Sequence, residues 1–391
     1  MSLLNDDIRV VVSIDFGTTY SGYACAHKSN PEDIIVQEDW NELEPHYKTP
    51  TVIKYEDESY TIVKSWGFPA LAEKPSNKKK ISDPSKPIEL FKLHLIKELS
   101  NEKPFLPEGL DFKKVITDYL KKLVEMIKNS CARNWQNLDF YRQVLVILTI
   151  PAEFDDDAIS TMRECAFYAG LTKDRFSRNL KFTTEPEAAA IYCLNSMKGQ
   201  YNLSTGASFM IVDCGGGTEF SKIVPNISVP IHPIIAIIKG GVQFGLHEDR
   251  VMNRVLKRTY GTDIARPSKP DDPASEKFPN GLTIIFDALA KRGEQVPANK
   301  KVIKAFEPCS IMQQKIGFNM YVTKNTGAKF CNDPGVSLLR NWEIELPKNE
   351  NIEDMEDTTI LFTLSFGSVE ILATAENQKT GAKYHVSFKC E

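Results

Sequence analysis

Two short loops constrain this chain more than any other stretch. One is Asp15-Phe16-Gly17-Thr18-Thr19-Tyr20, which closes the apolar run from Ile8 to Ile14. The other is Asp213-Cys214-Gly215-Gly216-Gly217-Thr218, which closes the run from Phe209 to Val212. Both follow one order: buried strand, aspartate, glycine, threonine, second strand. Glycine lets backbone N–H groups turn toward an anion with no Cβ in the way. Threonine adds a hydroxyl donor. The aspartates, Asp15 and Asp213, cannot take a phosphate, since both are anionic, but they suit a magnesium ion or its waters. A single glycine turn is most often a plain hairpin. Two matched copies, each with the aspartate at a strand end, read as the halves of one phosphate clamp.

Composition narrows what such a clamp could serve. The 391 residues are 42% hydrophobic and 26% charged, an ordinary globular balance for two or three domains. A net charge of −4 gives no reason to expect nucleic acid or an anionic membrane as partner. The start MSLLNDDIRV has no basic n-region, and no uncharged apolar run nears the ~20 residues of a membrane span. The eight cysteines are scattered without C-x-x-C, which reads as reduced packing thiols in a cytoplasmic protein. The six histidines are scattered too, so a zinc site is not expected, and His94 reads as a packed histidine.

Along the chain, Ile8–Asp15 is expected as a central strand and Thr19–Ala26 as its hairpin partner. Further strands fit Asp33–Val36 and Thr51–Tyr55, with Pro50 at the entry. The lysine-containing run from Asn77 to Pro87 reads as a solvated loop. Lys92 fits either a surface helix position or a reach toward the clamp, and spacing alone favours the surface. Phe112, Val115, Ile116, Tyr119, Leu120, Leu123 and Ile127 keep helical spacing, with Asp111 as cap. Val144–Ile150, ended by Pro151, reads as a strand buried on both faces. Asp155, Asp156 and Asp157 open a helix that Gly170 stops. Lys181–Thr184 is a strand, and the helix after it begins near Glu185-Pro186-Glu187. Glu185 therefore lies at a strand-to-helix junction, the edge where α/β sheets bind ligands. Such alternation implies an α/β layer, and the polar stretch Gly199–Gly206 marks a lobe boundary.

The strings IDFGTTYSG, ILTIPAEFDD, TTEPEAAAIY and VDCGGGT, in that order, resemble the ATPase domain of the seventy-kilodalton heat-shock chaperones. That domain shares its fold with actin and sugar kinases. RVLKRTYGTDIA, GEQVP, NDPGVSLL and LSFGSVEILATAENQKTGAKYHVSF resemble the family's atypical 12A-like branch. The resemblance implies an actin-like α/β ATPase fold binding ATP or ADP with magnesium, and an unfolded peptide or protein client. Co-chaperones are not identified. By the same resemblance Gly17, Thr18, Thr19 and Tyr20 match the first phosphate loop, and Gly215, Gly216, Gly217 and Thr218 the second. Asp15 and Asp213 would serve the metal through water. Glu185 would sit by the magnesium and attacking water, and Pro151 would link ATPase and client domains. Lys92 falls near the family's catalytic lysine, which sets a catalytic group of Glu185, Asp213 and Lys92.

Two departures weaken catalysis. The family's aspartate two residues after the second loop is Phe220 here, and Glu219 comes one step early, on the other face of a strand. More seriously, the chain passes from Lys222 to IIAIIKGGVQFGL, which resembles the family's returning helix, within a few residues. That is too little to build a lobe. The expected organisation is therefore lobe I over 8–200, a lobe II remnant over 201–227, returning helices over 228–264 and a β-rich, client-binding-like module over 282–391. Residues from His247 to Thr259 are expected as a helix, and Ala265–Gly281 as a loop. Beyond Leu282 period-two patterns dominate, as at Ile316, Phe318, Met320 and Val322, and at Trp342, Ile344 and Leu346. Ile360–Phe366 and Val369–Thr374 read as a hairpin turned at Gly367, and Tyr384–Phe388 as a last strand. Three functions stay open: an ATP-driven chaperone-like protein with weakened hydrolysis, a non-catalytic binding or scaffold descendant, and a sugar kinase. An incomplete gene model would also produce the gap.

Overall fold

A computed structural model describes residues 7–40, 44–72, 86–96, 103–196, 206–212, 229–247, 251–297, 300–307, 314–346, 359–366 and 369–386. The chain divides into two compact units, Met1–Arg250 and Val251–Glu391.

In the first unit the strands run β1 (Val10–Phe16), β2 (Tyr20–His27), β3 (Ile35–Val36), β4 (Thr49–Pro50), β5 (Val52–Tyr55), β6 (Val63–Trp66), β7 (Ile88–Glu89), β8 (Val144–Ile150) and β9 (Leu180–Thr184). The helices are α1 (Phe68–Ala72), α2 (Phe112–Asn134), α3 (Phe140–Gln143), α4 (Asp156–Tyr168), α5 (Glu185–Ser196) and α6 (Ala236–Leu246). The main sheet runs β3-β2-β1-β8-β9, with β4 joined to β2. β1 and β2 form the antiparallel hairpin, while β8 and β9 add in parallel. Every residue of β1 and of β8 is buried, as their unbroken apolar runs require of strands covered on both faces. This is a mixed α/β layer whose three parallel strands end at one edge.

Both faces of β1 can be followed by period two. Phe16 meets Tyr119 of α2, at 5.8 Å between ring centroids. Val11 and Ser13 lie on the opposite face, under α6. The glycines of α6 make that approach possible. A Cβ on Gly240 would stand 1.7 Å from the Ala188 carbonyl oxygen, and one on Gly241 would stand 2.1 Å from Ser13 Oγ. Caps behave as the sequence indicates: Asp111 accepts from the Lys113 N–H at 3.1 Å, and Asp155 from the Ala158 N–H at 2.8 Å. Gly170 takes φ +80°, ending α4. His94 is packed, stacked on Phe112 and bonded to the Pro104 carbonyl at 3.0 Å. Burial lowers its pKa.

The second unit is built of strands β10 (Asn253–Val255), β11 (Thr259–Pro267), β12 (Leu282–Ala290), β13 (Gln295–Pro297), β14 (Lys300–Phe306), β15 (Lys315–Thr323), β16 (Val336–Glu345), β17 (Ile360–Phe366), β18 (Leu372–Asn377) and β19 (Lys383–Val386). Two four-stranded antiparallel sheets, β12-β11-β15-β16 and β14-β17-β18-β19, share one core. Ile316, Phe318, Met320 and Val322 point inward from one sheet, and Ile360, Phe362, Leu364 and Phe366 from the other. Phe318 stacks on Phe362 at 5.1 Å, joining the two layers.

Three expectations change. No helix occurs among the described residues between 251 and 259. Residues 253–255 pair antiparallel with β13, and this distant pairing overrides local helix propensity. The loop expected from Ala265 begins later, because β11 continues to Pro267 in register with Leu282. Phe209–Val212 is not a strand. It pairs with no described strand, and Phe209 and Met210 are exposed. An apolar run gains strand geometry only from a neighbour with which to pair. The loops at Asn77–Ser85 and Gly199–Thr205, and the turn at Gly367, lie outside the described residues. No described helix is long and apolar enough to cross a membrane.

Candidate functional site

The parallel strands β1, β8 and β9 end together at Phe16, Ile150 and Thr184. The first glycine loop leaves this edge. Gly17 is required there, since a Cβ would meet the Tyr20 carbonyl oxygen at 2.2 Å. Thr51 holds the loop from outside. Its Oγ1 donates to the Gly17 carbonyl at 2.8 Å, and its N–H donates to the Thr19 carbonyl at 2.8 Å. Thr18 is half-buried and Thr19 and Tyr20 are exposed. Among the described residues no side-chain partner occupies the Thr18 or Thr19 hydroxyl.

Asp15 is buried at 2% exposure and is not bare. Lys48 Nζ donates to its Oδ2 at 2.6 Å, and Thr149 Oγ1 approaches its Oδ1 at 3.4 Å. Lys48 went unnoticed in the sequence. It precedes β4, which pairs with Tyr20 and Ser21. That pairing sets Lys48 over Gly22, the residue directly opposite Asp15 in the hairpin. A Cβ on Gly22 would meet the Tyr47 carbonyl oxygen at 2.9 Å and Lys48 Cγ at 3.0 Å. The missing side chain is the notch through which the lysine reaches the carboxylate.

Lys92 is the largest correction within the site. It does not lie on a surface: it is 3% exposed, and its Nζ donates to Glu185 Oε1 at 2.9 Å across 93 positions of sequence. Its ammonium also lies 5.7 Å from the Phe16 ring centroid and 5.6 Å from that of Phe154. Aromatic faces and a carboxylate together offset the cost of burying that charge. Spacing could not show this, because it assigns a face and not the reach of a long side chain. Glu185 is aimed by the start of α5. The Glu187 N–H donates to Thr184 Oγ1 at 3.2 Å, while Glu187 Oε2 accepts from the Thr184 N–H at 3.4 Å and the Thr183 hydroxyl at 2.9 Å. This is a capping box, and its Thr-x-x-Glu spacing was present in TTEPEA without being noticed.

The second loop, with Asp213, Gly215, Gly216, Gly217 and Thr218, lies outside the described residues, as do Glu219 and Phe220. Of the carboxylates at the described edge, Asp15 and Glu185 are each paired with a lysine, and Glu187 is bonded to Thr183 and Thr184. No group of three or more His, Cys, Asp or Glu suited to a metal occurs among the described residues. Asp15 bonds Lys48 and Glu185 bonds Lys92, while Asp213, the other aspartate expected to serve a metal, lies outside the described residues. Two ammonium groups near a glycine loop suit a polyanion such as a phosphate chain.

No protein-family model matches the chain. Individual proteins do. Mouse heat shock 70 kDa protein 12A is 32% identical over 334 residues, covering 68% of this chain and 48% of the relative. Human heat shock 70 kDa protein 12B is 25% identical over 339 residues, covering 71% of this chain and 48% of the relative. The chain belongs to the heat shock 70 family, in its 12A-like branch. A more distant likeness reaches chaperone protein HscA of Proteus mirabilis, 28% identical over 243 residues, 58% of this chain and 34% of the relative. The chain spans about half the length of the heat shock 70 relatives of the 12A-like branch that it matches. Membership of the heat shock 70 family implies an actin-like ATPase fold, and the sheet and capped helices of the first unit agree with its mixed α/β layer.

Proposed function

We propose that this chain is a heat-shock-70-like nucleotide-binding protein. Its first unit would hold the phosphates of ATP or ADP at the carboxyl edge of β1, β8 and β9. The observation that carries this reading is the Lys92–Glu185 pair at 2.9 Å, formed by a buried ammonium and a half-buried carboxylate. These are two of the positions that the family resemblance assigns to catalysis, and the fold brings them together from separate elements. Loop amides and the Thr18 and Thr19 hydroxyls would cradle the phosphates. Lys92 would offset charge on the terminal phosphoryl group, and Glu185 would hold the attacking water in line. The β sandwich of the second unit would take an unfolded peptide or protein client.

Hydrolysis is expected to be weak. Most of the second lobe, with the segments that would stack on adenine, has no counterpart between Lys222 and Pro233. The match to mouse 12A supports an internal gap, since 334 aligned positions draw on only 68% of a 391-residue chain. Losing several base contacts at about 1 kcal/mol each lowers affinity by orders of magnitude. The exposed apolar side chains of Phe209, Met210 and Val212 favour a second reading, a non-catalytic descendant that binds partners.

The test is calorimetric titration of the whole chain with ATP, beside a phosphate-release assay. Weak binding that Lys92→Met reduces further supports nucleotide binding, and turnover lost in Glu185→Gln supports hydrolysis. Binding without turnover selects the non-catalytic reading. Micromolar or tighter binding with turnover abolished by Asp213→Asn refutes the account of the missing lobe.

A further inference from the structure

We propose that a cleft at the far end of β1 from the glycine loop binds an alkylammonium group, carried by a free amine or by a lysine side chain of a partner protein. The site is separate from the nucleotide-binding reading and does not depend on it. His27 lies opposite Val10, the first residue of β1, whereas the glycine loop follows Phe16. Six residues of strand put the two about 20 Å apart.

The cleft has a volume of about 310 Å³ and opens between the β2–β3 loop and the end of α2. His27, Ser29, Asn30, Asp33, Ile35 and Trp135 line it. Three of its features select a cation. Asp33 is exposed; its carboxylate accepts from Asn30 Nδ2 at 3.4 Å and makes no ion pair among the described residues. Trp135 supplies the aromatic ring that attracts a cation best, 6.2 Å from the His27 ring. Trp135 is also the C-cap of α2, and the carbonyl end of a helix carries partial negative charge. Carbonyls past that end already take one cation, since Arg9 donates to the Asn137 carbonyl at 3.4 Å. His27 does not oppose a second. The Ser29 N–H donates to its Nδ1 at 3.2 Å, so that nitrogen is an acceptor and the ring carries no positive charge. Half-buried Ile35 gives the carbon groups of an alkylammonium an apolar contact.

The experiment is fluorine NMR of the whole chain labelled with 5-fluorotryptophan, which reports on four tryptophans. The Trp135 resonance is the one missing in Trp135→Phe. The probes are choline, Nα-acetyl-lysine N-methylamide, the uncharged choline isostere 3,3-dimethyl-1-butanol, and glucose, all at one ionic strength. Either cation is expected to shift the Trp135 resonance saturably, with a Kd of about 1–10 mM and at least about fivefold below that of the isostere. Asp33→Asn is expected to weaken cation binding by about fivefold or more. Asp33 is exposed, so this variant should melt with the wild type. Tighter binding of choline identifies a free amine, and tighter binding of the lysine amide identifies a protein partner. No saturable shift with either cation up to about 50 mM overturns the inference, as does equal binding of the isostere. Unchanged cation binding in Asp33→Asn overturns it too, and binding of glucose alone replaces it with a sugar site.

Discussion

Gly240→Ala is the sharpest test of how the first unit is held together. The added methyl would sit 1.7 Å from the Ala188 carbonyl oxygen, and 3.2 Å from its Cα. Its obstacle is backbone, so no rotamer change relieves it, and α6 must move by more than 1 Å from α5. Alanine favours a helix over glycine by about 1 kcal/mol, which works against the clash. Overpacking of a close-packed site costs about 1–3 kcal/mol and more where backbone must shift. What α6 stands to lose is larger: Ile238, Val242 and Phe244 are all buried, at about 1.5–3 kcal/mol each when fully covered. A net loss of about 2–4 kcal/mol is expected, which lowers Tm by roughly 5–10 °C for a unit of this size. The assay is thermal unfolding followed by the helical circular dichroism signal, since the described α-helices all lie in the first unit. Gly245→Ala meets only the side-chain ends of Val11 and Ile147 and is expected to cost less. A Gly240→Ala protein melting at or above the wild type would refute the packing argument.

Breaking the Lys92–Glu185 pair is expected to be asymmetric: Glu185→Gln strands an ammonium at 3% exposure, whereas Lys92→Met leaves a carboxylate at 19%. Urea unfolding should show the former losing about 3–5 kcal/mol and the latter less; equal losses would contradict the burial difference. Burial pushes the thiols of Cys25, Cys131 and Cys165 up to about 12, so at pH 8 they stay protonated. Mass spectrometry after iodoacetamide treatment should find them unmodified in the native protein and modified in denaturant. Asp272 accepts two bonds from Arg266, at 2.8 and 2.6 Å, which with the Lys269 N–H hold its carboxyl well below the usual range. A depressed folded pKa contributes stability that is present above the unfolded value of about 3.9 and is lost as pH falls further. Asp272→Asn should therefore lower the melting temperature at pH 7, by a margin that begins to narrow below about pH 4 and is still partly present at pH 2.

Legibility followed the kind of physics involved. β1 and β8 stood out because strands covered on both faces need continuous apolar runs, and α2 because one covered face needs a 3.6-residue period. Asp111, Asp155 and Gly170 mark ends through local backbone chemistry, so they too could be read directly. Lys48 could not be read, because its role depends on a missing side chain at Gly22 and on a register set by β4. For Lys92 spacing favoured the surface for a related reason: it says nothing of an ammonium that passes the Phe16 and Phe154 rings to reach a carboxylate on another helix. At residues 253–255 a distant partner strand outweighed local preference. At Phe209–Val212 the apolar pattern was present but no described strand pairs with it.

The glycine face of α6 has a consequence for the order in which the protein can be made. Ser13 belongs to the first strand, and the glycine that covers it is residue 241. A nascent chain that has reached residue 200 therefore has its parallel strands and α5 but still shows the bare side of β1 and β8, with Val11 and Ile147 uncovered. Only when α6 leaves the ribosome can that side close. Cutting the chain after α5 should yield a sticky, poorly soluble fragment. The first unit is complete only once its last helix has been synthesised.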